Sequence, residues 1–222
     1  MDQRGAPEFT LEAFADPSTV RDVVRGILHT IFFLRYFPSV LPKTRDVLGL
    51  ELAYVPDEAI ETLIDQRVNA LRRAGIGVPR RGRRRRRRRR GGGGNIPSSG
   101  AGSSGSGRGQ ITVQFFEKRR RKTWYNIRGD DEVCWESWTI KVTVAEPRTE
   151  GERVKVRKAS EATLHNTVMK AITLANSHKD HIPPITTTES NPFPYQIRIG
   201  AHPHQKDQQN AYSGWATRMG IY

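Results

Sequence analysis

Residues 109–144, GQITVQFFEKRRRKTWYNIRGDDEVCWESWTIKVTV, predict two β-strands joined by a polar tip. Apolar and polar side chains alternate over residues 111–116, which is the period of a strand with one buried face. The same alternation returns over residues 133–145. The residues between are mostly charged or polar and show no apolar period. We therefore expect a long hairpin whose tip lies at residues 118–132.

Trp124 and Tyr125 stand in the middle of this polar tip. Basic residues precede them at 119–122, and Arg-Gly-Asp-Asp follows at 128–131. An exposed ring forgoes apolar transfer energy of roughly 1.5–3 kcal/mol relative to burial, while aromatic side chains are preferred anchors of protein interfaces. Two interpretations stay open: the rings tuck against their own hairpin, or they dock on another protein or a membrane surface. The charged surroundings favour docking.

Trp135 and Trp138 lie three positions apart on the second strand. Because successive side chains of a strand point to opposite faces, we expect Trp138 to pack under the helices. Trp135 is then expected on the other side of the sheet or against a neighbour.

Three helices are predicted by apolar residues at three- and four-residue steps between capping signals. The first begins at Asp16-Pro17-Ser18 and ends near Phe37; the second begins at Pro56-Asp57-Glu58 and ends at Gly75; the third begins at the capping box Thr149/Glu152 and ends near His178. Residues 48–54 read as a short strand or hairpin arm, and residues 195–199 as a last strand.

Together, these predicted helices and strands indicate an α+β domain, with three helices packed on an antiparallel sheet. We expect a mobile N-terminus over residues 1–15 and one domain over residues 16–200. A low-complexity disordered loop interrupts that domain at 76–109, and a polar tail follows at 201–222.

The formal net charge of +14 is concentrated in one segment. Residues 80–90 hold ten arginines and no acid, so the rest of the chain carries 14 − 10 = +4. Clustered arginines neutralise phosphates, so the tract could bind RNA or acidic phospholipid or act as a nuclear address. It lacks the interleaved aromatics that stack on bases, which favours an insert with no dedicated partner and only non-specific affinity for nucleic acid. The candidate contacts are Arg83, Arg84, Arg85, Arg86, Arg87, Arg88, Arg89 and Arg90.

Several function classes find no support in the sequence. One cysteine, Cys134, excludes an internal disulfide and any CxxC site. His178/His181 and His202/His204 lack further ligands nearby for a metal, and nucleotide-binding and nucleophile motifs are missing. We expect no catalytic residue, metal or cofactor. No apolar run approaches the ~20 residues of a membrane span, and no secretory signal opens the chain, so a cytosolic protein is expected.

The central stretch resembles the autophagy-related protein 101 family of HORMA-domain proteins. The resemblance is carried by a Gly-Gln strand, a basic run, a Trp-containing finger and the strand W-E-x-W-T-[IV]-K-V at residues 135–142, in that order. Further matching pieces are ILHTIFF, LELAYV, HKDHIPPI and PYQIRI. The resemblance covers roughly residues 18–74 and 110–200.

The resemblance implies a HORMA domain without catalytic activity. It implies pairing with the HORMA domain of autophagy-related protein 13, within the kinase complex that initiates autophagosome formation at the preautophagosomal structure. It also implies an exposed finger that recruits downstream autophagy factors. The finger's Trp corresponds to Trp124; Tyr125 is the nearest aromatic for the second place, although the usual spacing with an intervening Pro is absent. Two alternative hypotheses remain. The first is an RNA- or phospholipid-binding protein that acts through residues 83–90, and the second is a different HORMA adaptor that binds a peptide with its C-terminal segment.

Overall fold

A computed structural model describes residues 5–38, 41–74, 107–119, 131–185 and 191–200. Within these ranges the chain forms three α-helices and six β-strands. In chain order they are β1 (Glu8–Ala15), α1 (Val20–Arg35), β2 (Lys43–Val47), β3 (Leu50–Tyr54), α2 (Glu58–Arg73), β4 (Gly107–Arg119), β5 (Asp131–Val144), α3 (Glu150–Ser177) and β6 (Tyr195–Gly200).

The elements form layers around α1. A four-stranded sheet has the order β1-β5-β4-β6, and a separate hairpin consists of β2 and β3. Helix α1 contacts β1 and β5 of the sheet as well as both strands of the hairpin. Because it is covered on several sides, most of its residues are buried, including the run from Ile27 to Phe32. The predicted α+β architecture is confirmed.

Strand β1 corrects the expected mobile N-terminus. Residues 8–15 form a strand that pairs in parallel with β5, from Glu8 opposite Ser137 to Ala15 opposite Val144. Every second side chain of this strand is buried, as the alternating sequence EFTLEAFA could have indicated. The sheet is therefore mixed, with β1 parallel and β4, β5 and β6 antiparallel.

The predicted starts of α2 and α3 are confirmed, whereas α1 begins at Val20, after Thr19, without a side-chain cap. At α2, the Asp57 carboxylate accepts hydrogen bonds from the backbone N–H groups of Ala59 and Ile60. At α3, the capping box forms as expected: the Thr149 hydroxyl accepts from the Glu152 N–H at 3.2 Å, and the Glu152 carboxylate accepts from the Thr149 N–H at 3.3 Å. These contacts satisfy N–H groups that a helix leaves without intrahelical partners.

One boundary differs from the expectation. Strand β4 begins at Gly107, so residues 107–109 belong to the sheet rather than to the loop predicted at 76–109. The remainder of that loop, residues 76–106, lies outside the described residues. Residues 48–54, predicted as a strand or hairpin arm, supply the turn and β3 of the small hairpin.

A β-bulge overturns the expected opposite orientation of Trp135 and Trp138. Phe115 pairs with Glu136 while Phe116 pairs with Cys134, so Trp135 is an extra residue in β5. The bulge interrupts the alternation, and both tryptophans are buried. The Trp135 ring lies 5.7 Å from that of Phe115, which itself packs against α1 through Phe32 at 5.7 Å. Both rings therefore contribute to the core.

A buried ion pair joins α1, β5 and the end of α3. The Arg35 Nε lies 2.8 Å from Glu136 Oε1, and the two side chains are 4% and 0% exposed. The Arg35 guanidinium also donates to the carbonyl oxygens of Ala175 at 3.2 Å and His178 at 3.0 Å. These are carbonyls at the C-terminal end of α3, where helices leave acceptors without intrahelical partners.

The Glu136 carboxylate has further partners besides Arg35. The indole N–H of Trp138 donates to one of its oxygens, and His181 Nε2 lies 2.6 Å from the other. Burying a charge is costly unless it is paired and hydrogen-bonded. Here a carboxylate with no exposed surface is surrounded by partners from α1, β5 and the segment after α3.

His29 is a second buried polar group, on the side of α1 that faces the β2–β3 hairpin. Its side chain is 2% exposed, and neither ring nitrogen has a hydrogen-bond partner among the described residues. The ring packs edge-on against Tyr54 at 5.4 Å. Burial, together with the positive charges of Arg25 and Arg45, lowers the pKa of His29 to about 4.

Glu136→Gln should lower the free energy of unfolding by about 3–5 kcal/mol, because Arg35 would keep its buried charge without a counter-ion. Urea denaturation at pH 7 measures this. Glu132→Gln, on the exposed part of the same strand, serves as the matched control and should change stability by less than about 0.5 kcal/mol. Equal effects of the two substitutions would contradict a stabilising role for the buried pair.

The buried His29 should make stability fall in acid. In the unfolded chain His29 binds a proton below its ordinary pKa of 6.5, but in the folded chain only near 4. The unfolded state therefore binds more protons between these values, and the free energy of unfolding should drop by about 2 kcal/mol from pH 7 to pH 5.

Replacing the histidine isolates this contribution. In His29→Phe, the His29 part of the pH dependence should vanish, whereas His165→Gln on the exposed side of α3 should keep it. Urea unfolding of the three proteins at pH 7 and pH 5 makes the comparison. An unchanged pH dependence in His29→Phe would show that this histidine is not responsible.

Candidate functional site

The outer ends of β4 and β5 form a two-stranded arm, defined here as residues 116–119 and 131–134. Strand β6 pairs with β4 only from Gln110 to Phe115, and β1 pairs with β5 only from Ser137 onward. The ladder between β4 and β5 continues beyond both neighbours to Arg119 opposite Asp131. Within the described strands, the arm's residues thus pair only with each other.

Exposure rises along the arm. Phe115, at its base, is 1% exposed, whereas Lys118 and Arg119 are exposed. On the other strand, Val133 is 37% exposed. The described side chains of the arm therefore leave the hydrophobic core within a few residues.

A cluster of rings holds the base of the arm. The bulged Trp135 lies 5.7 Å from Phe115, 5.1 Å from Phe193 and 5.7 Å from His181, measured between ring centroids. The backbone N–H of Phe116 donates to the Pro194 carbonyl at 2.8 Å. Because these contacts come from β4, β5 and the segments before β6, the arm starts from a packed base.

The polar groups of the arm have local roles. Arg119 Nε lies 2.8 Å from Glu117 Oε2 on the same strand, in an exposed pair that is worth little energy. Burial raises the pKa of the Cys134 thiol, so this residue is protonated at neutral pH. A neutral, half-buried thiol fits a packing role rather than that of a nucleophile.

The sequence-predicted site residues Trp124 and Tyr125 lie outside the described residues, within 120–130. The paired ends Arg119 and Asp131 bracket that segment, so the chain connects it to the end of the arm. The candidate phosphate-binding residues Arg83–Arg90 and the pair His202/His204 also fall outside the described residues. Those predictions stay predictions.

The structure assigns His181 a role that spacing did not suggest. The two histidines of the HxxH sequence have different partners: His181 lies against Glu136 Oε2, whereas His178 Nδ1 lies 3.1 Å from the Leu174 carbonyl. Sequence reasoning missed this network around Glu136. A signal was available, because Glu136 is a charged residue between two tryptophans in a strand with a buried face, and such a charge requires a partner.

Helix α3 presents a second candidate surface. Its buried residues lie on one side, including Leu164, Val168 and Ala171. On other sides it exposes apolar groups, with Val154 64% and Met169 48% accessible. A protein that bound along this side of α3 would bury these apolar side chains. Separately, none of the helices in the described ranges combines the length and apolar character needed to cross a membrane.

Comparison with known proteins identifies the family to which this chain is similar. The family model of Autophagy-related protein 101 matches residues 12–189. The chain is 24% identical to Autophagy-related protein 101 of Arabidopsis thaliana over 217 residues, which cover 86% of this chain and 84% of the relative. Shorter alignments of 85 residues, 29% identical, relate it to the proteins of Homo sapiens and Bos taurus and cover 38% of this chain and 37% of each relative. Because the family model spans most of the chain, this protein belongs to the autophagy-related protein 101 family.

Proposed function

We propose that this protein is a non-enzymatic adaptor subunit of the autophagy initiation kinase complex. It pairs with and stabilises the HORMA domain of autophagy-related protein 13, and it recruits downstream autophagy factors through an exposed finger made by Trp124 and Tyr125. The observation that carries the proposal is the arm: its two strands leave the sheet from a packed aromatic base, and the segment 120–130, which contains both residues, connects their ends in the sequence. It works in the cytoplasm and is recruited to the preautophagosomal structure.

The geometry of the arm supports recruitment through a finger. A binding site gains affinity when its contact residues are held in place before binding, because less conformational entropy is lost. The ring cluster around Trp135 supplies such a support at the arm's base. Aromatic anchors at the centre of a small interface supply most of the binding energy.

The surface of α3 supports pairing with a second domain. Val154 and Met169 are exposed apolar side chains that a partner would cover. The long helix is held to its own domain by its other side and by contacts with β1 and α1. The layered arrangement of sheet, helices and hairpin agrees with the HORMA domain that the resemblance implies.

The arginine tract motivates an alternative function, binding of RNA or acidic phospholipid through Arg83–Arg90. This alternative differs from the adaptor in its chemistry, because it depends on phosphate contacts and therefore on salt concentration. The two functions can be separated by substitutions in different segments.

Trp124→Ala/Tyr125→Ala should abolish recruitment of downstream factors while leaving the fold and the heterodimer intact. Loss of a hot-spot aromatic costs about 2 kcal/mol or more, which corresponds to roughly a 30-fold weaker association. Pulldown from cells measures recruitment, and size-exclusion chromatography with autophagy-related protein 13 measures pairing.

The matched control changes the flanking polar residues, Thr123→Ala/Asn126→Ala, and should keep recruitment. If the Trp124/Tyr125 variant instead yields unfolded protein, the two rings belong to the core and the finger is wrong. If it folds and recruits normally, another surface performs the recruitment.

Deleting residues 79–106 and joining the ends with a short Gly-Ser linker should leave adaptor activity unchanged. The same deletion should remove salt-dependent binding to RNA or to anionic vesicles, because the clustered positive charges are lost. Autophagosome counts in cells and filter binding at two salt concentrations measure the two effects.

A charge-preserving control separates charge from sequence in this test. Replacing Arg83–Arg90 by eight lysines should retain most of the salt-dependent binding, since each residue still neutralises one phosphate. Loss of autophagy on deletion, restored by the lysine variant, would favour the alternative function over the adaptor.

A further inference from the structure

The outer face of the four-stranded sheet, which exposes Glu12 and Lys141, carries a groove of about 670 Å³ along α3. Its floor crosses all four strands, because the register places Glu12, Lys141, Gln110 and Gly200 in one row. The neighbouring row contributes Phe14, the apolar side chain of this polar face.

Helix α3 forms the wall of the groove by covering the edge of β1. The Thr167 hydroxyl donates to the Glu12 carbonyl at 2.5 Å, and the Lys170 ammonium donates to the Thr10 carbonyl at 2.9 Å. One turn and two turns before Thr167, Thr163 and Ala159 line the groove with small side chains.

The described part of the chain ends at Gly200, directly beside the groove. This glycine is the last described residue of β6 and lines the groove, where it lacks a side chain. A Cβ atom there would lie 3.3 Å from the Gln110 Cβ, tighter than ordinary contact. The chain that continues from Gly200 therefore starts beside the groove.

We propose that residues 211–222, AYSGWATRMGIY, dock in this groove through Tyr212 and Trp215. The segment brings aromatic and aliphatic side chains to the apolar groups of Phe14 and Ala159, which the groove leaves accessible. Its reach is sufficient: crossing four strands at about 4.8 Å spacing requires roughly 15 Å, whereas fifteen residues separate Gly200 from Trp215 and span up to about 50 Å when extended.

The other segment that ends beside the groove is a poorer occupant. Residues 75–106 lead into Gly107 and Arg108, but they contain no aromatic residue and carry the arginine tract. Arg108 and Lys141 already place positive charge at the groove, so the tract would add like-charge repulsion. Residues 211–222 carry a single arginine and no lysine.

Hydrogen exchange of the full chain, read by mass spectrometry, tests the docking. Amide groups of residues 211–222 should exchange at least tenfold more slowly than a random coil of the same sequence. Tyr212→Ser/Trp215→Ser should remove this protection without touching the folded domain. Filling the groove with Ala159→Arg/Thr163→Arg should remove it as well.

The matched control is Ala162→Arg/His165→Arg, which adds the same side chains on the exposed part of α3 outside the groove. It should leave the protection unchanged. Random-coil exchange in the unmodified chain would overturn the proposal, as would protection that survives both the tail and the groove substitutions. If the slow exchange of residues 211–222 disappears on dilution, a second copy of the chain occupies the groove. This outcome would also overturn the proposal.

Discussion

The buried pair of Arg35 and Glu136 is the contact on which the arrangement of the domain depends. It joins the end of α1 to β5, and through two carbonyl oxygens it also holds the end of α3. An ionised pair in the interior adds little net stability compared with apolar residues of the same shape, but leaving one member alone is costly. The pair therefore penalises arrangements in which these three elements meet differently, which makes it a determinant of specificity more than of stability.

The same carboxylate connects the core to the arm. His181, bonded to Glu136, also packs on the bulged Trp135, and Trp135 contacts Phe115 and Phe193 at the arm's base. The W-E-x-W motif thus has a physical explanation. Trp135 supports the arm, Glu136 pairs with the buried Arg35, and Trp138 fills core volume and donates a hydrogen bond to Glu136. A motif that marks the family is here the point where the fold and the proposed finger are linked.

The core, the arm and the groove lie on different parts of the sheet. The helix-covered face of the sheet carries the core, the arm leads to the proposed finger, and the outer face carries a groove beside the start of the last segment. The family match over residues 12–189 spans the arginine tract, whereas residues 201–222 lie beyond it. The tract holds ten arginines, and residues 201–222 hold the aromatic residues Tyr212, Trp215 and Tyr222.

The sequence by itself determined the three helices, the caps of α2 and α3 and the long hairpin, because apolar periodicity and capping depend on neighbours a few residues apart. It also carried the family resemblance and pointed to Trp124 and Tyr125. Tertiary structure alone decided that residues 8–15 pair in parallel with β5, that a bulge turns Trp135 into the core, and that Arg35, Glu136 and His181 meet. These features depend on strand register and on contacts between residues about 45 to 101 positions apart, which local patterns do not specify.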